Sequence, residues 1–257
     1  MTWWLRFEQG GQECCGTLEA DGRTIRVHAG DMFDQPRPTG ETTVLSEVKL
    51  LAPLRPGKFI ALWNNFRELA AKRNQAIPEV PLYFIKAPNS YLDPGGVIRK
   101  PLAYSGKVLY EGELGIVIGK SCSNVTEDEA AAGIFGYTCV NDVTALDILH
   151  HDPSFVQWAR AKGCDTFCPF GPVVATGLDW SQLRIRTLLN GRERQNYPAN
   201  DMILPPARIV SLISREMTLH PGDVIACGTS VGALPMLPGM RVEVVIDGIG
   251  TLGNTFE

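Results

Sequence analysis

"GKVLYEGELGIVIGK", residues 106–120, places two glutamates, Glu111 and Glu113, at the mouth of an apolar run. The run itself reads as a strand built to be buried on both faces. In a strand, positions i and i+2 point to one face, so Glu111 and Glu113 project side by side and Gly112 the other way. Their Cβ atoms then stand about 6.5–7 Å apart, from a rise of ~3.3 Å per residue. A hard divalent cation, held by oxygen at about 2.0–2.6 Å, fits between two such side chains. Without one, two like charges beside "LGIVIG" repel and are costly to desolvate. Taken by itself the pair has a plainer alternative, a solvated strand end, where most glutamates sit.

A second acidic strand end changes the balance. "GYTCVNDV", residues 136–143, is another apolar run that stops on a carboxylate, Asp142, although Asp is also a preferred turn or cap residue. Three carboxylates with no Cys or His cluster nearby describe an all-oxygen site for Mg²⁺, Mn²⁺ or Ca²⁺. In "RAKGCDTFCPFGP", residues 160–172, Lys162 stands just before a glycine. Near a metal carboxylate it can bind an anionic substrate or steady a developing enolate; otherwise it is a helix C-terminal charge favoured by the dipole. In "PGDVIACGTSVGALPMLPGM", residues 221–240, Gly228, Thr229 and Gly232 make a loop whose N–H groups can cradle a carboxylate.

The rest of the chain bounds the class. Its 257 residues are 44% hydrophobic and 20% charged, enough for one large core. A formal charge of −4 gives no electrostatic reason to expect nucleic acid or an anionic membrane as partner. No stretch reaches the ~18 apolar residues of a spanning helix, and the first residues lack a signal-peptide pattern. Seven cysteines, an odd number without a CxxC pair, fit thiols in a reducing cytoplasm.

Residues 1–50 read as a small N-terminal β domain, with turns at Gly10-Gly11 and Asp21-Gly22 and a polar connector at "FDQPRPTGETT", residues 33–43. Residues 51–257 read as a second, mainly β unit with short helices (α+β) and a closed or rolled sheet rather than a doubly wound one. Helices are expected at 66–77, capped by Asn65 with Glu68 and ended by Pro78, after the Thr126–Glu129 capping box, from Pro153 to Gly163, and over 205–214.

Together, "YEGELGIVIGK", "GYTCVNDVTALDI", "AKGCDTFCPFGP", "LNGRERQ" and "TLHPGDVIACGTSVG" resemble the fumarylacetoacetate hydrolase family over about residues 55–257. The resemblance implies a mixed β-roll catalytic domain, usually dimeric, behind a small N-terminal β domain. It implies a Mg²⁺ or Mn²⁺ site with Glu111, Glu113 and Asp142 at the ligand positions, and Lys162 at the active-site lysine. It further implies substrate contacts from Gly228 and Thr229, and from Lys86 and Ser90 in "FIKAPNSYL". Hydrolytic members carry a water-activating His on the first helix with a Glu three residues on; those positions here are Leu69 and Lys72. An Arg common after the Asp ligand is Leu146 here. Leucine neither accepts a proton nor holds a carboxylate.

The pattern is therefore more similar to the decarboxylase and isomerase branch, whose members act on 2-oxo and enol dicarboxylic acids. The expected chemistry is decarboxylation or tautomerisation through a metal-stabilised enolate, with Lys162 adding positive charge and the 65–79 segment closing as a lid. A C–C hydrolase of acylpyruvates or fumarylacetoacetate-like substrates, with His150, His151, Glu68 or Glu79 as substitute base, and a catalytically silent metal-binding relative are the alternatives.

Overall fold

The computed structural model describes residues 1–257. Five strands come first: β1 Thr2–Gln9, β2 Gln12–Leu18, β3 Thr24–Asp31, β4 Asp34–Val44 and β5 Lys49–Leu51. The expected connector at 33–43 is thus strand β4. Its prolines are tolerated because β4 is the edge of the sheet, paired only with β3, and the β3–β4 register slips twice.

Next come β6 Phe59–Trp63, α1 Arg67–Lys72, β7 Leu82–Ile85, and the two-residue strands β8 Tyr91–Leu92, β9 Val97–Ile98 and β10 Val108–Leu109. The apolar run that opened the sequence reading is β11, Gly112–Ile118, buried at every position. After it follow α2 Glu127–Gly133, β12 Ile134–Asn141, β13 Thr144–Ala145, α3 Leu146–Leu149, α4 Trp158–Lys162 and β14 Cys168–Thr176. The chain closes with β15 Arg184–Leu189, β16 Arg192–Pro198, α5 Pro206–Ser214, β17 Val224–Ala226, β18 Arg241–Ile246 and β19 Gly250–Phe256.

The main sheet runs β4-β3-β2-β1-β14-β12-β11-β17-β6-β7, with β5 beside β1 and β8 beside β14. Most pairs are antiparallel, but β17–β6 and β14–β8 are parallel, so the sheet is mixed. The N-terminal strands are continuous with it through β1 and β14, where Trp3 lies opposite Ala175. A second sheet, β16-β15-β18-β19-β9, packs across it. Leu114, Ile116 and Ile118 of β11 meet Ile185, Val244 and Leu252 in the largest core, while Val117 faces a second cluster with Val140 and Phe170. That two-sided burial is why β11 reads as an unbroken apolar run.

Two helices differ from expectation at their starts. Asn65 does not cap α1; its side chain is buried, with Nδ2 donating to the Cys227 carbonyl at 2.9 Å and Oδ1 accepting from the Leu204 N–H at 2.9 Å. The helix ends at Lys72, six residues before Pro78, with Asn74 just beyond it in the left-handed region at φ 51°. At 153 no helix begins, because Asp152 Oδ1 accepts from both the N–H and the hydroxyl of Ser154 and closes a local turn. The α2 capping box forms as expected, with Thr126 and Glu129 bonding reciprocally.

Candidate active site

The antiparallel register of β11 and β12 assembles the acids. Glu113 lies opposite Val140 and Gly112 opposite Asn141, and the Asp142 N–H donates to the Glu111 carbonyl at 2.9 Å. Asp142 therefore stands across from Glu111 on the face that also carries Glu113. One oxygen from each of the three carboxylates lies within 4.8 Å of the others. Such spacing and an all-oxygen donor set fit a hard divalent cation.

Gly112 between the glutamates is a steric requirement. A Cβ there would come within 2.0 Å of Thr187 Oγ1 on the second sheet. Its peptide groups are also pinned: the N–H donates to Gln195 Oε1 at 3.0 Å, and the carbonyl accepts from the Tyr197 hydroxyl and from Thr229 Oγ1 at 3.1 Å. Asn141 Oδ1 accepts the Glu111 N–H at 3.0 Å. These contacts fix where the two carboxylates leave the strand. Asn141, Gln195 and Tyr197 went unread as site residues in the sequence, where only the small residue between two acids hinted at close packing.

Lys162, the last residue of α4, is buried, with Nζ at 2.5 Å from both Glu111 Oε2 and Asp142 Oδ2. Its ammonium also lies 5.2 Å from the centre of the Phe84 ring. Lys86, fully buried, donates to Asp142 Oδ1 at 2.7 Å and to the Phe167 carbonyl at 2.8 Å. Glu113 is the exception in this cluster. It is 1% exposed, and its Oε2 accepts a single N–H, that of Gly228, at 2.8 Å.

Electrostatics follow from that inequality. Burial, then the nearby Asp142 and Glu111 charges, push the Glu113 carboxyl well above the ordinary value. Burial raises Glu111 too, with Lys162 opposing it. Burial also works against an ionised Asp142, but the Lys162 and Lys86 ammonium groups outweigh it and hold the carboxyl low. For Lys162, burial favours the neutral amine and the two carboxylates overcome it. A divalent cation at Glu113 would relieve the one acid that the two lysines leave unpaired.

A cavity of about 880 Å³ opens on this cluster and is lined by Glu111, Glu113, Lys162 and Thr229. Its walls are largely apolar, with Leu69 from α1 and Leu146 from α3 among them. Phe84 and Trp158 stack there with ring centres 4.9 Å apart. His150 also lines the cavity; His151, Glu68 and Glu79 do not. Neither Lys86 nor Ser90 lines it: Lys86 lies behind Asp142, and Ser90 is buried with its hydroxyl donating to the Ala87 carbonyl at 2.6 Å. The Gly228 N–H, expected to meet a ligand carboxylate, instead meets the protein's own Glu113.

Comparison with known proteins places this geometry in context. Residues 58–257 match the fumarylacetoacetate (FAA) hydrolase C-terminal family, and residues 4–53 match the Rv2993c-like N-terminal family. The chain is 37% identical over 224 residues to an oxaloacetate tautomerase of Bacillus subtilis, covering 82% of this chain and 73% of that one. It is 33% identical to a 2,4-didehydro-3-deoxy-L-rhamnonate hydrolase of a Sphingomonas species, covering 96% and 93%. The solved structure of a 2-hydroxyhepta-2,4-diene-1,7-dioate isomerase from Mycobacterium marinum superposes with a TM-score of 0.90 at 37% identity, over 100% of this chain and 98% of that one. With the family match spanning all of β6 to β19, the chain belongs to the fumarylacetoacetate hydrolase family.

Proposed function

We propose that this protein is a divalent-cation-dependent enzyme that decarboxylates or tautomerises 2-oxo acids. One observation carries the reading: Glu111, Glu113 and Lys162 line a cavity, Asp142 completes their cluster, and the walls at Leu69 and Leu146 cannot activate water. The names of two relatives, a tautomerase and an isomerase, support it.

Glu111, Glu113 and Asp142 would hold Mg²⁺ or Mn²⁺, which supplies Lewis acidity toward a carboxylate and an adjacent keto oxygen. The chain's own groups do the rest. Lys162 is kept charged by Asp142 and Glu111 and keeps a full ammonium beside the site, where an enolate oxygen develops negative charge. Lys86, behind Asp142, fixes that carboxylate from the far side. Leu69, Leu146 and the Phe84–Trp158 stack keep water from the keto carbon, so the enolate left when CO₂ or a proton departs from the keto form is simply reprotonated. The Gly228–Thr229 loop borders the substrate and holds Glu113 in place.

The test is absorbance of the protein with Mg²⁺ or Mn²⁺ and oxaloacetate, with enol and keto forms followed separately and pyruvate assayed. Metal-dependent loss of either form that disappears in Glu113→Ala is the expected result. No change with either metal, on oxaloacetate or on a wider 2-oxo-acid panel, would sink the proposal. A second reading, hydrolysis of acylpyruvates, draws on His150 in the cavity lining and on the hydrolase among the relatives. Acylpyruvate cleavage that is lost in His150→Gln would favour it.

A further inference from the structure

The acid cluster can serve only one carboxylate of a substrate. Three carboxylates against the ammonium groups of Lys162 and Lys86 leave the cluster one charge negative. A divalent cation turns it one charge positive, which a single 2-oxo-acid head group neutralises. A second carboxylate on the same substrate finds no positive charge left there and must find it elsewhere in the cavity.

The lining offers one arginine, Arg73. It is the cap just past Lys72 at the end of α1, it is exposed, and its guanidinium makes no hydrogen bond and no ion pair with the protein. Helix ends favour basic residues, which alone would account for a cation at this place. Lys72, in the last turn, already meets that preference and does not line the cavity, whereas Arg73 does. The lining from the same part of the chain, Asn64, Leu69, Gln75 and Leu82, contributes no competing carboxylate. A planar guanidinium with all its donors free is suited to bidentate capture of a carboxylate. Resting on the 2-oxo-acid reading above, we infer that Arg73 receives the distal carboxylate of a dicarboxylic substrate and so sets the preference for diacids over monoacids.

Tryptophans 63 and 158 line the same cavity, so binding can be followed by quenching of intrinsic fluorescence, without turnover. The full-length protein in saturating Mg²⁺ is titrated with matched pairs that differ only in a terminal carboxylate or methyl: 2-oxoglutarate against 2-oxopentanoate, and 2-oxoadipate against 2-oxohexanoate. Wild type is expected to favour the diacid of at least one pair by about tenfold or more, as a charge-assisted bidentate contact gives. Arg73→Gln brings that ratio to about one, Arg73→Lys keeps part of it, and Lys72→Gln keeps it whole. A flat ratio in wild type, an Arg73→Gln ratio equal to wild type's, or an equal collapse in Lys72→Gln overturns the assignment. The two readings fail separately. A protein that discriminates diacids yet transforms no 2-oxo acid loses the proposed reaction and keeps Arg73, and one that turns over with a flat ratio loses only Arg73.

Discussion

Asp142 and Glu13 are each held between two cationic side chains, and they could hardly be more different in consequence. Asp142 accepts from Lys86 and Lys162 in a cluster where all three side chains are at most 3% exposed. Glu13, on β2, accepts from Arg6 and Arg55, and the carboxylate is 49% exposed and Arg55 75%. In both places the cations hold the carboxyl low. At Glu13 water can replace either partner. At Asp142 nothing can, and the same three-charge motif becomes a fixed feature that a ligand must be built around. Burial, more than the number of ion pairs, sets the candidate site apart.

Asp142→Ala should therefore give the largest effect. It leaves two buried ammonium groups without their shared acid, and losing one partner of a buried pair costs about 3–5 kcal/mol. Urea unfolding in EDTA measures it, and a loss no greater than that of Glu13→Ala would erase the contrast. Glu113→Gln keeps the shape and an oxygen for the Gly228 N–H but removes the charge a cation needs. At a hundred times Kd, Mg²⁺ or Mn²⁺ should stabilise wild type by about 2.7 kcal/mol and Glu113→Gln not at all, read as thermal shift. An undiminished shift in the variant would move the cation away from Glu113.

The same residue sets a pH dependence. Glu113 binds its proton more tightly folded than unfolded, because burial raises the folded carboxyl above its ordinary 4.5. Its contribution to metal-free stability is thus fully present below about that value and declines as pH rises through the raised folded pKa, by up to ~1.4 kcal/mol per pH unit. Glu111 acts in the same direction. Asp142 acts in the other, losing its contribution as pH falls through its lowered pKa, below the ordinary 3.8. In EDTA the decline above pH 4.5 should be shallower in Glu113→Gln than in wild type. Identical slopes would mean that Glu113 is ionised and solvated when metal is absent.

Much of this was legible from local pattern. The unbroken apolar run of β11 announced two-sided burial, and the i, i+2 glutamates announced a shared face. The antiparallel pairing that brings Asp142 opposite Glu111 is a long-range fact, for which the sequence offers only two strands that end in acid. Lys162 could be placed near a helix end but not buried, since an ordinary solvated lysine looks the same. Lys86 was expected beside the substrate and instead stands behind Asp142, a difference of one layer that no spacing rule resolves. The prolines of β4 misled because they argue against a strand everywhere except at an edge, and edges are decided by the rest of the sheet. Asn65 looked like a cap because nothing local says that Leu204 and Cys227 will come to meet its amide.

Glu13→Ala should give the smallest effect, and the reason lies in what remains after the carboxylate is gone. Arg6 still donates to the Ala52 carbonyl at 2.9 Å, so its guanidinium keeps a fixed partner. Arg55 is mostly in solvent already and turns to water. No fully buried cation loses its acid, whereas Asp142→Ala removes the only carboxylate on Lys86 and one of the two on Lys162. The remaining contribution is a screened surface interaction, which fades once the Debye length falls to ~8 Å at physiological salt. The urea midpoint of Glu13→Ala should match wild type at 0.15 M NaCl and fall below it only at low ionic strength. A salt-independent loss as large as that of Asp142→Ala would mean that the seam between β1, β2 and β5 depends on Glu13. Exposure would then be a poor guide to which clasp the fold requires.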